Sequence, residues 1–172
     1  MRLFIAINFN DATLSGLIAL RDGLRDKAVR GRFSASENLH LTLVFLGECD
    51  AKQEAAAKAA MDEVNFEPLN VTIDRVGRFR RDGGDIWWAG VRVNEQLLNL
   101  HRDLTDKLTA AGFELEKRRY SPHITLGREV VTKELPRKIE PFGETVSAIE
   151  LMKSERVRGK LTYTAIHKTA RL

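Results

Sequence analysis

The chain opens on an apolar run over residues 3–8, after which Leu14, Leu17, Leu24 and Ala28 recur at spacings that share one side of a helix. This pattern predicts a buried strand and then a helix with Asp11 as its N-cap, weakened at Gly16 and Gly23 by about 1 kcal/mol each relative to alanine. Residues 39–46 are dense in apolar and β-branched side chains and stop at Gly47, so a second strand is expected there. Asp50 and Gln53 form a capping-box pattern ahead of the alanine-rich run 51–64, a second helix. The runs 71–76 and 86–93 flank Arg81-Asp82-Gly83-Gly84-Asp85, whose Gly and Asp residues suit a chain reversal, and they predict a hairpin.

Asn94 caps a third helix in which Leu97, Leu100, Leu104, Leu108 and Ala111 form one stripe and Gly112 is the stop. A strand over 123–130, a short helix ahead of Pro136, and strands over 146–153 and 161–169 complete the reading. Each half then runs strand, helix, His-bearing strand, helix or loop, strand. The order predicts a duplicated α+β unit about a pseudo-two-fold axis, with its seam in the turn 79–85.

Two segments carry the chemistry. They are His40-Leu41-Thr42-Leu43 and His123-Ile124-Thr125-Leu126, 83 positions apart (123 − 40), close to half of the 172 residues. Residues two apart in a strand point to the same side, so His40 shares a face with Thr42 and His123 with Thr125, while the Leu and Ile residues turn into apolar packing. Related by a two-fold axis, the two faces oppose each other. Displacement at phosphorus needs a group on each side, because the attacking and leaving oxygens lie roughly in line. One imidazole takes a proton from the nucleophile and the other gives one to the leaving oxygen. Thr42 and Thr125 supply hydroxyl donors for the non-bridging oxygens. Arg128, five residues beyond His123, adds a cation, but strict alternation puts it on the opposite face, and its reach requires a bulge or the strand's end.

Composition narrows the field around this pair. Hydrophobic residues are 43% and charged residues 30% of the chain, the balance of an ordinary globular protein, and one domain over residues 1–172 is expected. The apolar N-terminal run is too short for a signal peptide and no later run reaches about 18 residues, so a cytoplasmic location is expected. The single cysteine, Cys49, fits a reducing compartment and a packing role. The 28 Lys and Arg against 24 Asp and Glu give a net charge of +4, which favours a polyanionic partner. Arg75, Arg78, Arg80 and Arg81, Lys117-Arg118-Arg119, and Arg156, Arg158 and Lys160 lie beside turns, where they are solvated loops or a phosphate track.

No carboxylate lies in either His motif and no His-x-x-x-His or Cys pattern occurs, so no metal is expected; His101 and His167 lack a Thr two residues on and are read as structural. The absence of a Gly-rich phosphate loop argues against an ATP-consuming ligase. No oligomerisation signature is evident, and a monomer is expected. The competing reading is a non-catalytic RNA- or nucleotide-binding module. Trp87 and Trp88 support it through stacking, although one of two adjacent strand residues must point away into the core.

Arg2-Leu3-Phe4-Ile5-Ala6-Ile7, the block 38–47 around His40, Pro122-His123-Ile124-Thr125-Leu126-Gly127-Arg128, and Ser154 with the later Gly159 and Tyr163 fall in an order that resembles the 2H phosphoesterase superfamily. Within it, the resemblance is to the bacterial and archaeal RNA 2′,3′-cyclic phosphodiesterases, also known as 2′-5′ RNA ligases, and it spans nearly the whole chain. It implies a bilobal α+β fold, with antiparallel sheets facing a water-filled cleft, helices outside and no cofactor. It also implies that His40 is the proton donor to the departing 3′ oxygen and His123 the proton acceptor that activates water, leaving a 2′-phosphate. Arg128 matches the family's arginine after the second motif, and Gly127 stands where the family often has Ala. Phe9 and Tyr163 are candidates for base-stacking or phosphate contacts, with core packing as the competing role. The implied partner is RNA with 2′,3′-cyclic phosphate termini, tRNA fragments among the candidates, and ligation would be transesterification in reverse.

Overall fold

The computed structural model describes residues 1–171 and contains, among them, nine strands, three α-helices and one 3-10 turn over Ser36–Asn38. Strand β1 (Arg2–Ile7) leads into helix α1 (Asp11–Lys27), and the residue that caps α1 is Asn10 rather than Asp11. Asn10 keeps an extended backbone (φ −73°, ψ 170°) and its side chain accepts from the Thr13 amide at 2.9 Å, whereas Asp11 is already in the first turn. Ala28, expected on the helical stripe, instead begins strand β2 (Ala28–Phe33). Strand β3 (Leu41–Glu48) follows, and then helix α2 (Ala51–Glu63) with the expected capping box: Asp50 and Gln53 each accept from the other's backbone amide.

Strands β4 (Leu69–Phe79) and β5 (Asp85–Val91) form the expected hairpin, with Gly83 and Gly84 at φ +79° and +134° in its tip. Helix α3 (Glu95–Ala110) is capped by Asn94 and buries Leu97, Leu100, Leu104 and Leu108; Ala111 lies beyond it, exposed, and Gly112 takes φ +101°. Strands β6 (His123–Thr132), β7 (Arg137–Val146), β8 (Ala148–Val157) and β9 (Lys160–Ala170) complete the chain. The short helix expected ahead of Pro136 does not form. Only four residues join β6 to β7, too few for a capped helix, and Pro136 biases the preceding residue toward extended backbone.

All pairings are antiparallel, in two sheets ordered β3-β1-β8-β9 and β2-β6-β5-β4-β7. The order β3-β1-β8 in one sheet is repeated as β6-β5-β4 in the other. The last strand of each half therefore crosses into the sheet of the other half: β4 beside β5, and β8 beside β1. The turn 79–85 is for this reason a hairpin inside one sheet and no seam between the two, since so short a connection joins only antiparallel neighbours. Leu3, Ile5, Leu41 and Leu151 of the first sheet and Ile73, Trp87, Ala89 and Ile124 of the second join the buried helix leucines in one core. Helix α1 packs on β2, β6 and β7, and α3 on α2, β3 and β4. Among the described residues no helix is long and apolar enough to cross a membrane.

Candidate active site

His40 stands immediately before β3, and His123 opens β6. Against β1, β3 pairs Thr42 with Ala6, Val44 with Ile5, Phe45 with Phe4 and Gly47 with Leu3, so Leu43 and Leu46 are extra residues in the ladder. Against β5, β6 pairs Thr125 with Trp88, Gly127 with Trp87 and Val130 with Asp85. Leu126 is therefore extra, and two residues, Arg128 and Glu129, face one; Glu129 takes φ +54°. The irregularities in the two strands are 83 positions apart, as the histidines are. Each first bulge reverses the alternation that follows Thr. Val44 and Gly127 turn inward, while Phe45 and Arg128 join the faces of Thr42 and Thr125. The bulge that Arg128 required is present.

The two faces enclose a cleft of about 690 Å³ lined by His40, Thr42, His123, Thr125, Arg128 and Tyr163, among others. Nδ1 of each histidine lies 2.7 Å from the carbonyl oxygen two residues earlier, that of Asn38 for His40 and that of Ser121 for His123. A carbonyl only accepts, so Nδ1 carries the proton on both rings and Nε2 is the atom left for chemistry. His40 Nε2 is 2.8 Å from Thr42 Oγ1, whereas His123 Nε2 has no hydrogen-bond partner among the described residues. Burial lowers both histidine pKa values from the ordinary one. The Asn38 and Ser121 carbonyls oppose that shift, while the charge of His123 adds to it at His40 and that of Arg128 at His123.

Aromatic rings hold each imidazole. Phe4 and Tyr163 sit 4.8 and 5.3 Å from the His40 ring, and Phe79 sits edge-on 5.1 Å from His123, with Trp88 at 6.2 Å. Tyr163 thus reaches the cleft. Phe9 does not: β1 ends at Ile7, its alternation ends with it, and Phe9 packs against the main core as the chain turns into α1. Phe4 is the β1 aromatic that faces the histidine. Trp87 is buried and Trp88 lies over Gly77, so neither is an open stacking face. Each basic cluster sends a side chain to the cleft wall, Arg81 from the first, Arg118 from the second, and Arg156 with Lys160 from the third.

Three positioning residues carry no motif. Buried Arg21 binds the Ser34 carbonyl and Ser36 hydroxyl, and Ser34 in turn donates to the Thr125 carbonyl. Tyr120 donates to the Thr42 carbonyl and stacks on His101 at 4.0 Å. His167 binds Asp62, away from the cleft. Among the described residues no group of three or more His, Cys, Asp or Glu side chains converges as metal ligands.

The sequence pattern of the 2′-5′ RNA ligase superfamily matches residues 17–158. The chain belongs to that superfamily. It is 32% identical over 149 residues to an RNA 2′,3′-cyclic phosphodiesterase of Thermotoga maritima, covering 85% of this chain and 78% of the relative. A protein of the same name from Escherichia coli is 32% identical over 144 residues, 81% of this chain and 80% of the relative. The crystal structure of E. coli LigT complexed with 3′-AMP matches with a TM-score of 0.82 at 28% identity, over 98% of this chain and 96% of LigT. The paired sheets and the two histidine strands are thus those of a 2′-5′ RNA ligase superfamily member.

Proposed function

We propose that this protein hydrolyses the 2′,3′-cyclic phosphate ends of RNA to 2′-phosphomonoesters, with His40 as proton donor and His123 as proton acceptor. The observation that carries the reading is the pair of imidazoles, each anchored through Nδ1 and each lining one cleft from a different sheet. Relatives that bear the name RNA 2′,3′-cyclic phosphodiesterase over most of the chain support the choice of substrate.

In this reading His123 Nε2, free of protein partners, takes a proton from water as its oxygen attacks phosphorus. The bond to the 3′ oxygen breaks on the far side, and that oxygen takes the proton of His40 Nε2. The phosphate stays on the 2′ oxygen. Arg128 and the hydroxyls of Thr42 and Thr125 hold the charge that builds on the non-bridging oxygens. A 5′-hydroxyl in the place of water yields a 2′-5′ linkage by the same proton transfers, which accounts for ligation as a second outcome of one geometry. Both histidines belong to one chain, so the cleft is complete in a monomer, and we take residues 1–172 as one domain of two lobes acting in the cytoplasm, with tRNA fragments among its RNAs.

The test is incubation of the purified protein, in EDTA, with an oligoribonucleotide ending in a 2′,3′-cyclic phosphate, beside the His40→Ala and His123→Ala variants. A 2′-phosphate from wild type, with each variant slowed about 10²- to 10⁴-fold, is the expected result. Binding without product would favour a recognition module, and a 3′-phosphate would overturn the assignment of His40.

A further inference from the structure

The backbone carbonyls of the two motif threonines each accept a side-chain hydroxyl from outside their own motif. Tyr120 donates to the Thr42 carbonyl and Ser34 to the Thr125 carbonyl, both at 2.9 Å. The donors are exchanged between the halves. Ser34 lies six residues before His40 (40 − 34) yet holds the His123 strand, and Tyr120 lies three residues before His123 (123 − 120) yet holds the strand that follows His40. The same two segments also anchor their own imidazoles, since the Asn38 carbonyl takes His40 Nδ1 and the Ser121 carbonyl takes His123 Nδ1. Each segment therefore grips both half-sites.

The bonds fall where the strands are least held by their neighbours. Thr42 and Thr125 each stand immediately before the extra residue of a bulge, Leu43 in β3 and Leu126 in β6, where the ladder is interrupted. Each segment is in turn fixed by the helix of its own half. Arg21 of α1, paired with Asp22 and only 8% exposed, donates to the Ser34 carbonyl at 2.9 Å and the Ser36 hydroxyl at 3.0 Å. A guanidinium taken out of water is costly unless its donors are used, and here they are used on this one segment and its neighbour on the helix. His101 of α3 stacks on the Tyr120 ring, with centroids 4.0 Å apart and planes 7° from parallel. Helix α1 follows β1 and α3 follows β5, strands in equivalent places of the two sheets, so the chain from helix to segment to threonine carbonyl occurs twice.

We propose that Ser34 and Tyr120 are positioning residues of a reciprocal brace, in which the segment leading to each histidine sets the strand of the other. The spacing between the two imidazoles is then fixed as one unit, and neither half-site loosens alone. Misplacing an acid or base by about 1 Å costs on the order of 10²-fold in rate, so this spacing is worth fixing from both sides. The proton roles of the histidines rest on the phosphodiesterase reading; the exchanged bonds do not.

NMR of the labelled His40 and His123 rings reads both half-sites in the whole protein without any substrate, in wild type, Ser34→Ala, Tyr120→Phe and the double variant. Ser34→Ala moves the His123 signals and Tyr120→Phe moves the His40 signals. On the 2′,3′-cyclic phosphate oligonucleotide each single variant lowers kcat several-fold at unchanged KM. The double variant loses less than the product of the two, because one broken bond already frees the spacing, while the losses of thermal stability add. Variants that disturb only the histidine following them in sequence, or kcat losses that multiply, overturn the brace. Exchanged shifts in a protein that does not turn over the cyclic phosphate support the brace and overturn the phosphodiesterase reading instead.

Discussion

Tyr120 donates its hydroxyl to the backbone carbonyl of Thr42, 2.9 Å away, across 78 positions of sequence. Strand β3 is the edge of its sheet, so this carbonyl has no strand beyond it. Burial raises the Tyr120 pKa, which keeps the hydroxyl protonated and donating. Tyr120→Phe removes the donor and keeps the ring against His101. We predict a loss of about 1–2 kcal/mol of stability and a several-fold fall in kcat at unchanged KM. Chemical denaturation beside steady-state kinetics checks it, and unaltered kcat would mean that the bond holds the fold alone.

The pH profile follows from the sign of the two histidine shifts. The proposed mechanism needs a protonated His40 and a neutral His123, and the product of those fractions peaks at the mean of the two pKa values, whichever is higher. Both lie below the ordinary value of about 6.5, first through burial. The kcat/KM maximum is therefore expected on the acid side of that value. A bound phosphate anion favours both imidazolium forms, so kcat itself peaks at a higher pH than kcat/KM. A kcat/KM maximum on the alkaline side of neutrality would contradict the downward shift of the histidine pair.

In the proposed mechanism Arg128 acts on the phosphate, and its charge also lowers the His123 pKa. Arg128→Ala is predicted to lower kcat/KM about 10²-fold. It also removes a charge that holds the His123 pKa down, so the kcat/KM maximum moves to higher pH. Arg128→Lys restores the charge without the planar fork and recovers part of both effects. Rate profiles of the three proteins read the two effects separately.

The hairpin tip supports the bulge that presents Arg128. A Cβ at Gly84 would overlap the Glu129 backbone, and Gly84 holds φ +134°; Gly83, at φ +79°, has open space around it. Gly84→Ala is predicted to cost about 2–3 kcal/mol and to raise KM by shifting Glu129 and Arg128, while Gly83→Ala costs about 1 kcal/mol and leaves KM alone. Thermal unfolding and KM for the two variants decide it.

Elements with a buried stripe were legible in the sequence. The α3 leucines, the Asp50–Gln53 box and the apolar runs of β1, β3 and β6 each announce themselves, and the two His-x-Thr-Leu segments locate the cleft before any coordinates do. Strands β2 and β7 were not legible, because both are sheet edges with largely exposed side chains, and β7 carries Pro141 where its ladder with β4 slips. Alternation alone sends Phe45 and Arg128 to the wrong face. A one-residue bulge leaves no mark in composition, and only the register shows it. Tyr120 and Arg21 were invisible for a different reason: each acts on a backbone carbonyl far along the chain, which no side-chain pattern encodes.

In the proposed mechanism His40 protonates the 3′ oxygen and His123 activates the nucleophile, and one substrate separates these roles. A 2′,3′-cyclic phosphorothiolate with sulfur at the 3′ position leaves as a thiolate that needs no proton. His40→Ala is expected to hydrolyse this substrate at close to the wild-type rate while His123→Ala remains slow. Rescue of His123→Ala instead, or equal loss in both variants, would contradict it.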